Sequence, residues 1–391
     1  MLGRSRPDPP DDAPTGHRGR MRIVLVANLH HPTSGGLRTA VDRLASGYAA
    51  RGHAVAVVVP GPRTVGDPAD LRPGAVSVLT LAAPRVPGAG GYRLMDPWRV
   101  RRLLDQLEPD RLEVSDRTTL RGLGRWAAAR GVPTLVVAHE RLDRVLTQFL
   151  LPAGAARRVA DAANRRTAAG HDLVVCSTEF AAEEFTRLGT TVARVPLGVD
   201  LRTFAPDRWD SRLRAELLDR SDVLLVHAGR LSAEKHPERS VETLAELRRR
   251  GVRATLVVVG DGPLRGRLER QARGLPVRFL GHVTDRDAVA TLLASADVAL
   301  APGPHETFGL AALEALASGT PVVGSAGSAL RELLGDGPHG VAVADGPDAF
   351  ADGVVRLLAV DPATRRAAAR ARAADFPWST SVDQMLGLLA A

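Results

Sequence analysis

Two carboxylates stand eight positions apart in the run His305-Glu306-Thr307-Phe308-Gly309-Leu310-Ala311-Ala312-Leu313-Glu314. Upstream, Val298 to Ala301 reads as a short buried strand, Pro302 to Pro304 breaks it, and the apolar run Phe308 to Leu316 has helical character. A strand therefore feeds a turn that feeds a helix. The unpaired backbone N–H groups of Phe308, Gly309 and Leu310 at that helix start would favour an anion such as a phosphate. Glu306 falls on the loop before this anion site and Glu314 about two turns into the helix. A carboxylate beside a phosphate site needs a partner of its own, and sugar hydroxyls fit, because a carboxylate accepts their hydrogen bonds. The plain alternative is that Glu306 caps the helix and Glu314 is a solvated helix residue.

Cations for the anion are found elsewhere in the chain. Among 52 basic residues only Lys235 is a lysine, so a compact ammonium is retained at one position of an otherwise arginine-only sequence. Lys235 and Arg230 flank the loop Gly229-Arg230-Leu231-Ser232-Ala233-Glu234-Lys235, which follows the apolar run Val223 to Ala228. Two cations past the C-terminal end of a strand suit a diphosphate. The pair Gly35-Gly36, after the run Arg22 to Ala27, would let backbone approach a ligand closely, although on these residues alone a plain turn is the preferred reading. It is not the spaced glycine fingerprint of a dinucleotide site, so no NAD or FAD is expected. His139 lies just past the run Thr134 to Ala138, where open α/β sheets keep their ligands, and an ordinary loop histidine is the competing reading.

These residues need a scaffold of strands and helices in alternation, and the chain writes that pattern twice. In the first half, strands are expected at 22–27, 54–59, 76–81, 112–114, 134–138, 173–176 and 192–195, with helices at 37–50, 97–107 and 118–130 and a further helix after Ser177-Thr178. His53 is expected to cap the helix that Gly52 closes. The second half repeats the pattern from Val223, with a helix at 237–250, a strand at 254–259 and a tight turn Gly260-Asp261-Gly262-Pro263. The fold class is thus α/β, with two doubly wound domains facing across a cleft. The expected boundaries are a disordered extension 1–20, an N-terminal domain 21–195, a linker at Pro196-Leu197-Gly198-Val199-Asp200 opening a C-terminal domain 196–375, and a terminal helix 376–391.

Composition narrows the class of function. With 391 residues, 45% of them hydrophobic, there is material for two sizeable cores. No apolar run reaches the roughly 18 residues a membrane span requires. A single cysteine, Cys176, leaves no disulfide framework or cysteine metal site within the chain and suits a reducing cytoplasm. The net charge of +8 would fit nucleic acid, but aromatics are only 4% and no reader's basic stripe is present, so no nucleic-acid partner is expected. The stretch 141–170 interleaves Arg141, Arg144, Arg157, Arg158, Arg165 and Arg166 with Leu146, Phe149, Leu150 and Leu151. It fits an anionic membrane surface or an acidic acceptor, with a solvated helix face as the bland alternative.

Taken together, Gly35-Gly36, Gly229-Arg230 with Lys235, Gly260-Asp261-Gly262-Pro263, and Glu306 with Phe308-Gly309-Leu310 and Glu314 resemble the family 4 retaining glycosyltransferases of the GT-B fold. The likeness runs from about residue 21 to the C-terminus, where Phe376-Pro377-Trp378 is similar to the segment that crosses back onto the N-terminal domain. The resemblance implies that Arg230 and Lys235 bind a donor diphosphate, helped by the amides at Phe308, Gly309 and Leu310. It implies that Glu314 holds the ribose hydroxyls, Glu306 the transferred sugar or its phosphate, His139 the sugar, and Gly35-Gly36 the diphosphate. Leu197 departs from the family's usual asparagine in the linker, which leaves a contact there open. The implied reaction moves a hexose from a nucleotide-diphosphate sugar to a hydroxyl-bearing acceptor without metal or further cofactor. Arginine-rich members resemble GDP-mannose-dependent mannosyltransferases with lipid or glycan acceptors. A UDP-glucose or UDP-N-acetylglucosamine transferase, a nucleotide-sugar epimerase and a non-catalytic sugar-nucleotide binder are the alternatives. The expected place is the cytoplasm, or peripherally the inner face of the membrane.

Overall fold

A computed structural model describes residues 19–31, 35–86, 92–149, 151–218 and 220–391. The expected extension 1–20 lies outside them except for Gly19 and Arg20. Two seven-stranded sheets organise the molecule. In the first, strand Arg22–Val26 pairs in parallel with Ala54–Gly61 on one side and Arg111–Val114 on the other, and all seven strands run parallel. In the second, Val223–Ala228 lies between Ala254–Val259 and Val298–Ala301, and only the short Asp336–Gly337 runs antiparallel at the edge. Strands such as Thr134–Ala138 and Ala254–Val259 are buried along their whole length, because helices cover both faces of each sheet and leave no solvated side for polar alternation. Each sheet reverses its winding beside its first strand. At such a switch point the loops after the two central strands diverge and leave a crevice for ligands.

Local chemistry sets where the elements end. The expected helix 118–130 is only Leu123–Ala128, because Asp116 turns its carboxylate onto the N–H groups of Thr118 and Thr119 at 2.7 and 3.1 Å and holds the preceding segment as a loop. The helix expected from Leu37 begins at Gly35. His53 is not a cap: its Nδ1 accepts from the Met21 N–H at 3.2 Å, pinning the start of the first strand, while Gly52 ends the helix at φ 88°. Gly260, at φ 141°, packs so closely under the neighbouring loop that a Cβ would stand 1.8 Å from Gly229 O, so only glycine fits this turn.

The terminal helix Trp378–Ala390 crosses back and packs on helix Gly35–Ala50 of the first sheet. Approach is tight, since a Cβ on Gly47 would meet Val382 Cγ2 at 2.4 Å. Arg51 donates to Asp383 at 2.7 Å along the same seam. The 196–200 linker runs beside the entry to this helix through the bridge of Val199 to Pro377.

Candidate active site

The loops that leave the second sheet at its switch point meet through one ion pair. Lys235 closes the single turn Ala233–Lys235, and its ammonium donates to Glu306 Oε1 at 2.5 Å. Gly303 lies against the pair: a Cβ there would be in ordinary contact, 3.4 Å from Lys235 Cα and 3.5 Å from Glu306 Oε1. Burial works against the charged amine, but Glu306, with Glu234 and Glu140 behind it, outweighs burial and holds the Lys235 pKa above its ordinary value. The ammonium is therefore charged at neutral pH.

The helix beside this pair starts two residues later than expected. Gly309 is its N-cap at φ 93°, and the helix is Leu310–Ala317. The first intrahelical bond runs from Leu313 N to Gly309 O, so the amides of Gly309, Leu310, Ala311 and Ala312 have no intrahelical partner; of the expected Phe308, Gly309 and Leu310, Phe308 falls before the cap. Phe308 is an anchor, with its side chain buried and its ring edge-on to Phe376 at 6.2 Å. Gly309→Ala is expected to cost about 3 kcal/mol, from the left-handed backbone and a Cβ 2.4 Å from the buried Leu330 Cδ2. Urea unfolding that shows no loss would contradict this reading of the turn.

The first sheet presents its groups from the opposite wall. A Cβ on Gly36 would lie 3.5 Å from Leu310 Cδ1, so the first turns of helices Gly35–Ala50 and Leu310–Ala317 face each other across the cleft. Both helix starts lend partial positive charge to the space between them. Arg230 reaches over to Tyr92, donating to its hydroxyl at 2.6 Å with the guanidinium 5.6 Å above the ring. His139 places Nε2 3.2 Å from Ser115 Oγ. Burial, reinforced by the Arg117 charge, lowers its pKa to about 4, so the imidazole is neutral at physiological pH. Glu314 receives a hydrogen bond from Arg286 at 3.1 Å, yet burial keeps its carboxyl above the usual carboxylate range despite the Arg286 and Arg43 charges. Across the cleft, Thr307 Oγ1 donates to the His139 carbonyl, and Ser177 and Thr178 hydroxyls donate to the Thr307 carbonyl at 3.2 and 2.8 Å. Among the described residues no group of three or more His, Cys, Asp or Glu side chains could hold a metal ion. What the walls offer together is two cations, Arg230 and Lys235, and two helix starts, with carboxylates and a neutral imidazole beside them.

The comparisons with known proteins decide the family. Residues 35–199 match the model of the glycosyl transferase 4-like domain and residues 222–360 that of glycosyl transferases group 1. The chain is 54% identical to the GDP-mannose-dependent alpha-(1-6)-phosphatidylinositol dimannoside mannosyltransferase of Mycobacterium tuberculosis over 95% of its length and 96% of the relative's. This chain belongs to the family 4 glycosyltransferases. It is also 29% identical to a GDP-mannose-dependent alpha-mannosyltransferase of Mycolicibacterium smegmatis, over 94% of this chain and 96% of that one. Among solved structures, Anabaena HepE in complex with UDP and glucose superposes with a TM-score of 0.75 at 20% identity, covering 95% of this chain and all of that one. WaaG, a glycosyltransferase involved in lipopolysaccharide biosynthesis, gives 0.67 at 20% identity over 94% and 99%. The fold is GT-B.

In this glycosyltransferase the structure brings Gly36, Arg230, Lys235, Glu306, Leu310 and His139 to one cleft, with Glu314 set deeper against Arg286. Sequence reading missed Tyr92, Ser115, Thr307, Glu332 and Arg286. Glu332 joins the domains by accepting from the N–H groups of Glu179 and Phe180 at 2.8 and 2.7 Å. Tyr92 is one of only two tyrosines, which is a faint signal, and the others have none. The basic stretch 141–170 is not uniformly available. Arg141 is buried between Asp143 at 2.9 Å and Glu183, whereas Arg144, Arg157, Arg158, Arg165 and Arg166 are exposed. The placement of Leu150 lies outside the described residues. No described helix is long and apolar enough to cross a membrane.

Proposed function

We propose that this glycosyltransferase moves mannose, with retention, from GDP-mannose to a hydroxyl of a mannosylated inositol phospholipid. The observation that supports the reading most is identity at more than half of the positions, along nearly the whole of both chains, with a relative named for that donor and that acceptor. The site is consistent with such a donor. Arg230, Lys235 and the amides of Leu310, Ala311 and Ala312 would hold the diphosphate, with Gly35-Gly36 closing on it from the other wall. Glu314 would accept from the ribose hydroxyls, Glu306 from the mannose, and His139 would contact the sugar as a neutral group.

In this scheme the acceptor hydroxyl attacks the anomeric carbon on the face the diphosphate leaves. The bond from that carbon to the phosphate oxygen breaks, and the hydroxyl proton passes to the departing oxygen. The protein's contribution is charge stabilisation of the diphosphate, and no metal ion or cofactor takes part. The test offers GDP-mannose, UDP-glucose and UDP-N-acetylglucosamine in turn with dimannosylated phosphatidylinositol and follows the glycolipid by mass spectrometry. Mannosyl transfer from GDP-mannose alone, unaffected by a chelator, is expected. Transfer from a UDP-sugar, sugar turnover without acceptor, or GDP-mannose binding without transfer would each replace the reading.

A further inference from the structure

Most carboxylates of the cleft are already engaged. Glu306 accepts from Lys235, Glu314 from Arg286, and Glu234 from the Ser232 hydroxyl. Glu140, one residue past His139, is different: its side chain is exposed, and among the described residues it makes no hydrogen bond or ion pair. The charges that reach it come from both walls, Arg117 from its own sheet and Lys235, Glu234 and Arg230 from the second, and Lys235 feels its charge in turn. Water reaches the carboxylate, but the walls stand close enough that burial raises its pKa above the ordinary value, against the pull of Arg117 and Lys235. A negative charge beside the cations that would hold a diphosphate weakens that site unless it serves another ligand.

The backbone around Glu140 is fixed from both sides. Arg117, itself buried, donates through Nη2 to the Glu140 carbonyl and to Glu184 Oε2 at 2.8 Å. Glu184, fully buried, accepts from the Leu142 and Asp143 N–H groups at 2.9 and 2.7 Å. From the other wall Thr307, next to Glu306, donates its hydroxyl to the His139 carbonyl. Residue 140 is thus held in a rigid frame where the two walls meet, and its carboxylate is left unused by that frame. Two carboxylate oxygens suit neighbouring hydroxyls of a sugar ring, which donate to them in charge-assisted bonds, whereas a phosphate is repelled from the same spot. Attack on the face the diphosphate leaves brings the acceptor hydroxyl alongside the diphosphate. Glu140 stands on the first sheet's wall within the field of Arg230 and Lys235, the cations that would hold that group, and so lies where the attacking sugar arrives.

We infer that Glu140 binds hydroxyls of the acceptor's terminal sugar and so orients the acceptor for attack. The inference rests on the reaction proposed above and gives its acceptor a contact on the first sheet. The experiment compares wild type, Glu140→Gln and Glu140→Ala in three readouts: acceptor kinetics, the GDP-induced rise in melting temperature, and calorimetric titration of the GDP-loaded protein with the deacylated headgroup of dimannosylated phosphatidylinositol. Glu140→Gln is expected to lose about tenfold in kcat/KM for the acceptor and Glu140→Ala about a hundredfold, the range for bonds to a charged group, with headgroup binding weakened in the same order. The ligand-free melting temperature should hold, because the side chain contacts nothing in the fold. The GDP shift should hold or grow, because a charge opposing the diphosphate is gone, and this readout separates an acceptor contact from a donor one. Undiminished acceptor kinetics in Glu140→Ala, a lost GDP shift, a ligand-free melting temperature that falls with activity, or headgroup binding by wild type and Glu140→Ala alike, or by neither, would overturn the assignment. Headgroup binding that depends on Glu140 in a protein that transfers no mannose would leave Glu140 in place and remove the proposed reaction. Mannose transfer that ignores the substitution would do the reverse.

Discussion

Lys235→Ala is expected to fold as the wild type does and to lose roughly two to three orders of magnitude in kcat, the loss typical of removing one group that stabilises developing charge. Its ammonium is the cation held between the loops of the second sheet, 2.5 Å from Glu306, and the surrounding carboxylates keep it protonated. Truncation removes positive charge where the diphosphate would arrive and also leaves the Glu306 carboxylate unpaired and facing that anion. Donor binding should therefore weaken together with turnover. The side chain is partly exposed, so the fold loses little. Single-turnover rates and the GDP-induced rise in melting temperature check this. The double variant Lys235→Ala with Glu306→Gln should recover part of the GDP shift that Lys235→Ala loses, because the repulsive charge is gone. Full turnover in Lys235→Ala would remove Lys235 from the donor site.

The second large effect concerns stability and lies away from the cleft. Glu113, on strand Arg111–Val114, is fully buried; Tyr48 donates to its Oε2 at 3.0 Å, and its Oε1 has no hydrogen-bond partner among the described residues. Burial pushes its carboxyl up from 4.5 to about 7, against the pull of the Tyr48 hydrogen bond. In the folded protein the proton stays on where the unfolded chain has already lost it. Glu113 therefore contributes stability that is fully present below about pH 4.5 and is lost as pH rises through about 7. By pH 8 the difference amounts to about 3 kcal/mol at most. Glu113→Gln keeps an acceptor for Tyr48 and cannot ionise, so it should gain about 2 kcal/mol over wild type at pH 8 and little or nothing at pH 4.5. His139 and His227, both lowered to about 4 by burial, act in the opposite sense, with stability lost as pH falls below 6.5. They are the same in both proteins and cancel in the difference. Urea midpoints across pH 4.5 to 8 measure it, and parallel curves would mean that Glu113 is ionised in its pocket.

Much of the scaffold was legible in the chain because a parallel strand buried on both faces must be continuously apolar. Thr134–Ala138, Val223–Ala228 and Ala254–Val259 end where the apolar runs end. Helix starts were harder. The run from Phe308 is apolar, but periodicity cannot tell a core anchor from a helical residue, and the left-handed Gly309 moved the helix start to Leu310. The helix expected at 118–130 failed for a related reason, since Asp116 satisfied the local N–H groups more cheaply than a helical turn would.

By itself the sequence determined the residue types at strand ends: a single lysine, an arginine five positions before it, and two glutamates on a strand-turn-helix unit. Those follow from local spacing, which the chain carries in one dimension. Tertiary structure alone decided that Lys235 pairs with Glu306, that Tyr92 meets Arg230, that Thr307 is stitched to His139, and that Arg141 is spent in a buried ion pair. The first three contacts join segments dozens of residues apart, and Arg141 pairs with Glu183 as well as with Asp143 two residues on. Such pairs are selected by the packing of two whole sheets against each other, and no period in the chain records them.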